Sequence, residues 1–216
     1  MVNRNRIELI IFDLDGVLIN KDIHFQALNL ALAEYTDIQL KYFEHEKYYD
    51  GRPTKIKLKL LEENKGLDPK ISDKIWAAKQ EQTKKLIQNL QPDDNIKALI
   101  QLLISDDYIL SLASNAIRST VETAINNLQI NDFIYPLISN EDVRSPKPFP
   151  ECYWKCMEFH KILPQNTLII EDSPVGIDGA RNSGAHVYEC ITSKYLDYQK
   201  IVDYIQYIYR NPRIYY

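Results

Sequence analysis

The stretch Ile7-Glu8-Leu9-Ile10-Ile11-Phe12-Asp13-Leu14-Asp15-Gly16-Val17 constrains the fold of this chain more than any other. An apolar run suited to a strand buried on both faces stops abruptly at two carboxylates and a glycine. Residues two apart on a strand share a face, so Asp13 and Asp15 are expected to project together. In open parallel α/β sheets ligands gather beyond the carboxyl ends of the strands, where this pair would lie. Two acids there point to a cation, a covalent step, or both. Taken alone, the motif also reads as an Asp-Gly turn closing a strand.

The remaining chain supplies the context. Ile23, Ala27, Ala31 and Tyr35 recur every four residues, with Leu28 and Leu32 widening the stripe, so residues 22–36 read as an amphipathic helix with His24 in its first turn. A lone histidine there is most simply a surface or packing residue. Tyr49-Asp50-Gly51-Arg52-Pro53-Thr54-Lys55 reads as a turn in which Thr54 caps a helix running to about Glu63, and Pro69 and Ser72 announce another to about Leu90. From Arg52 to Lys85 ten basic residues face five acidic ones, and most of these lysines read as a solvated face.

Pro92-Asp93-Asp94 breaks the pattern and offers a cap for a helix bearing Ile96, Leu99, Ile100 and Leu103. Beyond it, short apolar strands are expected at Tyr108–Ala113, Phe133–Ile138, Thr167–Ile170 and His186–Ile191, with helices between them and a last helix over Ser193–Tyr209. Pro136 cannot donate to a ladder, so its strand belongs at a sheet edge. This alternation implies an α/β fold with a doubly wound, parallel five-stranded Rossmann-like sheet. Residues 20–90, helical and strandless, interrupt it as an insertion after the first strand. The expected organisation is a core of residues 1–19 and 91–216 with a helical cap of residues 20–90.

The chain has 216 residues, 45% of them hydrophobic, which is enough for one buried core plus a modest insertion. A net charge of −4 gives no general electrostatic reason to bind nucleic acid or an anionic membrane. The apolar run at the N-terminus is too short and too charged for a leader or a membrane span, so a cytoplasmic location is the expectation. Cys152, Cys156 and Cys190 form no paired metal motif and read as small buried hydrophobes.

The strand ends carry the chemistry. Phe12-Asp13-Leu14-Asp15-Gly16-Val17 is followed by Ala113-Ser114-Asn115, Lys147-Pro148, and Ile170-Glu171-Asp172-Ser173 with Gly176, Gly179 and Gly184. In this order the motifs resemble the haloacid dehalogenase-like phosphohydrolase superfamily, and within it the branch of β-phosphoglucomutase and small sugar-phosphate phosphatases. The resemblance spans nearly the whole chain and implies a sheet order of five, four, one, two, three.

It also implies roles. Asp13 would be the nucleophile that forms an aspartyl phosphate, and Asp15 the general acid and base. Asp13, the main-chain carbonyl of Asp15, and Asp172 would hold Mg²⁺, with Glu171 in an outer position. Ser114, Asn115 and Lys147 would bind the phosphoryl oxygens. The cap would supply substrate contacts from His24, Arg52, Thr54 and Lys55.

Two places depart from the branch. Ile19-Asn20-Lys21 stands where many members carry Asp-Ser, and the loop to His24 is one residue shorter. The place of the cap-loop arginine that grips a distal phosphate in the mutases falls on Thr54, with Arg52 and Lys55 beside it. The expected activity is therefore a Mg²⁺-dependent phosphatase for a small phosphorylated metabolite, sugar phosphates among the candidates, in a monomer or weak homodimer. A phosphomutase and a non-catalytic interaction protein on the same fold are the alternatives. Intact Asp13, Asp15, Lys147 and Asp172 argue against the last, and product analysis separates the first two.

Overall fold

β1 (Leu9–Phe12) is four apolar residues long and buried throughout, as the middle strand of a sheet covered on both faces must be. In the computed structural model, which describes residues 6–190 and 196–211, it pairs in parallel with β2 (Ile109–Ala113) on one side and β4 (Thr167–Glu171) on the other. β3 (Leu137–Ile138) and β5 (His186–Glu189) complete a parallel sheet of order β3-β2-β1-β4-β5. The expected topology is therefore observed, with the strand that follows Pro136 at the edge.

Alternation along β1 sorts the core into two layers. Ile10 and Phe12 join Leu110, Leu112, Leu168 and Ile170 on one face, packed by α5 (Asp94–Ser105), α6 (Arg118–Asn127) and α9 (Tyr198–Arg210). Leu9 and Ile11 join Ile169 and Val187 on the other, packed by α7 (Glu151–His160) and α8 (Pro174–Asn182). Asp13 continues the odd-numbered register, as does Glu171 after Ile169, so both carboxylates emerge on the α7 side. The Asp13 amide donates to the Ile170 carbonyl at 3.0 Å and holds the strand ends level.

Between β1 and β2 the chain is helical: α1 (Asp22–Ala33), α2 (Tyr42–Tyr48), α3 (Thr54–Lys65) and α4 (Ser72–Gln88). These helices bury a cluster of their own, built from Leu28, Leu32, Tyr49, Leu58, Leu61 and Ile75. α1 packs along α4, whose last turn reaches the main core through Ile87. No helix among the described residues is long and apolar enough to cross a membrane.

Several local expectations change. Thr54 does not cap α3; Pro53 occupies the cap position without a side-chain bond, and Thr54 Oγ1 accepts instead from Gln80 Nε2 at 3.2 Å. α1 ends at Ala33, which leaves Tyr35 outside it and 44% exposed. The strand expected at Phe133–Ile138 shrinks to two residues behind a cis Tyr135–Pro136 bond, although the Pro136 carbonyl still accepts from Leu112 N. α2 was not expected, because its seven residues bury only His45 and present no apolar stripe. Asp93 caps α5 as expected, its Oδ1 accepting from the amides of Asn95 and Ile96. All three cysteines are buried, as expected. Residue 191 of the fifth expected strand and residues 193–195 of the last expected helix lie outside the described residues.

Candidate active site

The rim formed by the carboxyl ends of β1, β2 and β4 gathers the strand-end motifs around one ammonium group. Lys147 Nζ lies 2.5 Å from Asp13 Oδ1, 2.5 Å from Glu171 Oε1 and 2.8 Å from the Ala113 carbonyl. Its three N–H bonds thus have three acceptors, and the side chain is 2% exposed. Burial alone would weaken its hold on the proton, but Asp13 and Glu171 raise its pKa well above the ordinary lysine value. Lys147 is therefore a fixed cation.

Glu171 and Asp172 are adjacent but differently served. Glu171 Oε1 also accepts from the Tyr153 hydroxyl at 2.7 Å, and Oε2 accepts from the amides of Asp172 and Ser173. Asp172 Oδ1 has no hydrogen-bond partner among the described residues, and Oδ2 has only an ion pair with Lys21 at 3.4 Å, although the side chain is 1% exposed. Burial and the Glu171 carboxylate push Asp172 up to about 7, against the pull of Lys21. Burial and Glu171 also raise Asp13, against Lys147.

Carboxylate oxygens of Asp13, Glu171 and Asp172 lie within 4.8 Å of one another. Asp13 and Glu171 share one buried ammonium, whereas Asp172 has only Lys21, and its Oδ1 has no hydrogen-bond partner among the described residues. This donor set suits a hard divalent cation such as Mg²⁺. Gly16 makes room for it: at φ +90° its Cα comes so close to Asp172 that an added Cβ would lie 2.1 Å from Oδ2.

Asn115 ties three loops together. Its Nδ2 donates to the Gly51 carbonyl at 2.7 Å, and its Oδ1 accepts from Lys147 N at 3.1 Å. Ser114 Oγ accepts from Ala116 N at 3.0 Å, two residues before α6 begins, so it shapes the loop and does not cap the helix. Gly51, at φ +67°, sits so close to Ser173 that a Cβ there would lie 2.6 Å from its Oγ. The helical segment therefore rests directly on the rim.

Asp15 meets that segment. Its Oδ1 lies 2.8 Å from His24 Nε2, and His24 Nδ1 lies 3.0 Å from Lys79 Nζ. Burial would raise the Asp15 pKa, but His24, Lys79 and Lys57 together hold it below the usual carboxylate range. Burial likewise lowers His24, despite Asp15. His24 is thus a buried partner of Asp15: of the two roles read for a lone histidine, surface or packing, the surface one fails.

A cavity of about 380 Å³ opens between the rim and the helices, lined by Asp13, Asp15, Ser114, Asn115 and Lys147 on one side and His24, Arg52, Thr54, Lys55, Lys57 and Lys79 on the other. Each residue of the helical segment singled out from the sequence lines it, but not equally. Lys55 is exposed, with its ammonium 5.9 Å from the Trp76 ring, and Arg52 Nε donates to the Tyr48 carbonyl. The solvated-face reading of the lysines fails at Lys57 and Lys79, each 4% exposed. The missed signal is in the spacing: Thr54, Lys57, Leu58 and Leu61 form the buried stripe of α3, and Ile75, Lys79, Thr83 and Ile87 that of α4. Lys21, Asp50 and Tyr153 also escaped sequence reasoning.

The chain belongs to the haloacid dehalogenase-like hydrolase family, whose family model matches residues 10–189. Among curated relatives, it is 22% identical to a phosphorylated carbohydrates phosphatase of Thermotoga maritima over 180 residues, 82% of each chain. It is 23% identical to pyrophosphatase PpaX of Bacillus mycoides over 180 residues, 83% of this chain and 81% of that one. A solved β-phosphoglucomutase from Clostridium difficile shares the fold with a TM-score of 0.78 at 21% identity, covering 94% of this chain and 100% of that one.

Proposed function

We propose that this protein is a Mg²⁺-dependent phosphatase that hydrolyses a small phosphorylated metabolite through a phosphoryl group carried on Asp13. The observation that carries this reading is the pairing of Asp13 with a saturated Lys147 beside the unsatisfied Asp172, at the mouth of a cavity. Family membership and the phosphatase names of the relatives support it.

Asp13 attacks phosphorus in line with the ester oxygen, and the resulting mixed anhydride is then opened by water. Ser114 and the Asn115 amide hold the phosphoryl oxygens as charge spreads over them, and Lys147 joins them with the N–H that Asp13 gives up on attacking phosphorus. Asp15 protonates the leaving oxygen and later takes a proton from water. Its depressed pKa suits the second task, and an anionic phosphate arriving beside it raises its proton affinity for the first. Asp13, Asp172 and the Asp15 carbonyl would hold Mg²⁺, which supplies positive charge where an anionic nucleophile meets an anionic phosphate. Glu171, already saturated, stays in an outer position and fixes Lys147. Residues 20–90 act as a cap that excludes water and selects the substrate.

Orthophosphate release across a panel of phosphorylated metabolites tests the reading. Release with Mg²⁺ and none in EDTA is expected; undiminished hydrolysis in chelator contradicts the mechanism, and an isomeric phosphate product without orthophosphate turns the reading to a mutase. A second result is independent of turnover. Mg²⁺ should raise the melting temperature of the wild type, because the cation relieves the crowded carboxylates, and should do so far less in Asp172→Ala. An equal shift in both proteins would remove Asp172 from the ligand set.

A further inference from the structure

Lys21 stands between the β1 loop and α1, in the stretch where the sequence departs from its branch. The backbone fixes its place. The Ile19 amide donates to the Leu14 carbonyl at 3.0 Å, Asn20 Oδ1 accepts from Asp22 N at 2.9 Å, and the Lys21 carbonyl accepts from His24 N at 3.1 Å. From there the ammonium reaches carboxylates on both sides of the cavity. Asp172 Oδ2 of the rim lies at 3.4 Å, and Asp50 Oδ2 and Glu46 Oε1 of the helical segment lie at 3.2 and 3.5 Å.

No other basic side chain of the described residues lies within 4.0 Å of Asp172, since Lys147 is taken by Asp13 and Glu171. Lys21 touches only Oδ2, and Oδ1 of the same carboxylate stays bare. A buried carboxylate oxygen without a partner costs stability unless a ligand takes it. The two ammonium groups also differ in freedom. Lys147 is walled in by three acceptors, whereas Lys21 is 23% exposed and has two further carboxylates to which its N–H bonds can turn. A divalent cation and an ammonium on one carboxylate repel, so each gains hold of Asp172 at the other's expense.

We propose that Lys21 is a positioning residue for Asp172: it neutralises this carboxylate in the metal-free protein, sets metal affinity by competing for it, and turns to Asp50 and Glu46 when a divalent cation binds. The inference rests on Asp172 as a metal ligand, which belongs to the phosphatase reading, and goes beyond it by tying metal occupancy to the Asp50–Gly51 turn. That turn already touches the rim, because the Gly51 carbonyl accepts from Asn115 Nδ2 and its Cα abuts Ser173. Charge handed to Asp50 tightens a turn whose Tyr49 and Asp50 amides donate to the His45 carbonyl and whose Arg52 amide donates to that of Tyr49.

The test is calorimetric titration of metal-stripped protein with Mg²⁺. Lys21→Met should bind the cation about tenfold more tightly than the wild type, because no ammonium repels it from its ligand, although the variant melts lower in EDTA with its three carboxylates left facing one another. Lys21→Arg keeps the charge and should stay within about threefold of the wild type. A residue kept only for the fold would weaken Mg²⁺ binding when removed, so the direction separates the two roles. In hydrogen exchange, Mg²⁺ should slow the amides of Tyr49, Asp50 and Arg52 in the wild type and leave them unchanged in Lys21→Met. Lys21→Gln takes its place, with the same expectations, if the methionine protein does not fold. Affinity that is unchanged or weaker without Lys21, or a turn that still responds to Mg²⁺, would overturn the inference. Tighter Mg²⁺ binding without Lys21 in a protein that releases no orthophosphate would reject the phosphatase reading and leave the inference standing; Mg²⁺-dependent release with an affinity indifferent to Lys21 would do the reverse.

Discussion

Lys147→Met should lower the unfolding free energy in metal-free buffer by about 3–5 kcal/mol, the usual consequence of deleting one partner of a buried ion pair. The reason is geometric: one ammonium serves Asp13, Glu171 and the Ala113 carbonyl, and methionine leaves two buried carboxylates facing each other with Asp172 close by. The activity loss should be on the order of 10³-fold, at the upper end for removal of a donor to the transferring group. Chemical denaturation separates the two effects. Combining Lys147→Met with Asp13→Asn should recover part of the lost stability, because one of the stranded charges is gone, and a strictly additive double variant would show that the two side chains are not coupled. Unchanged stability in the single variant would mean that this ammonium does not hold the cluster together.

The strand ends were legible in the sequence because two-residue parity and an abrupt change from apolar to acidic leave few arrangements open. Asp13 follows Ile11 and Glu171 follows Ile169 onto one face, and the edge position of β3 was read from the missing donor of Pro136, although the strand itself begins one residue later. The helical side was legible in outline only. α2 was invisible because Tyr42, Phe43 and Tyr48 point to solvent, so its aromatic residues describe no inward stripe. Lys57 and Lys79 were hidden by composition: ten basic residues in one stretch read as solvated, although two of them occupy the helical positions of core residues. His24 reached Asp15 through the tertiary packing of α1 against the rim, which no local pattern encodes. Tyr153 sits on α7 as an apolar-face residue and carries a hydroxyl that finds Glu171 only once the two layers close.

Asp13→Asn should reduce turnover by at least about 10³-fold, because an amide nearly matches the carboxylate in shape but is a poor nucleophile. The fold should not suffer. Asp13 lies in a cluster where burial and Glu171 already raise its pKa, so in EDTA the variant should melt no lower than the wild type, with Lys147 retaining Glu171 as its partner. A site that trades stability for chemistry behaves in this way, whereas a carboxylate kept only for structure would cost stability when removed. The gain in melting temperature from Mg²⁺ should also shrink, since one ligand carboxylate has become an amide. The decisive measurement is orthophosphate release by wild type and Asp13→Asn, side by side in Mg²⁺, on the most active compound of the panel. The account predicts turnover in the first and a loss of at least about 10³-fold in a folded second protein; residual activity within tenfold of wild type would contradict it.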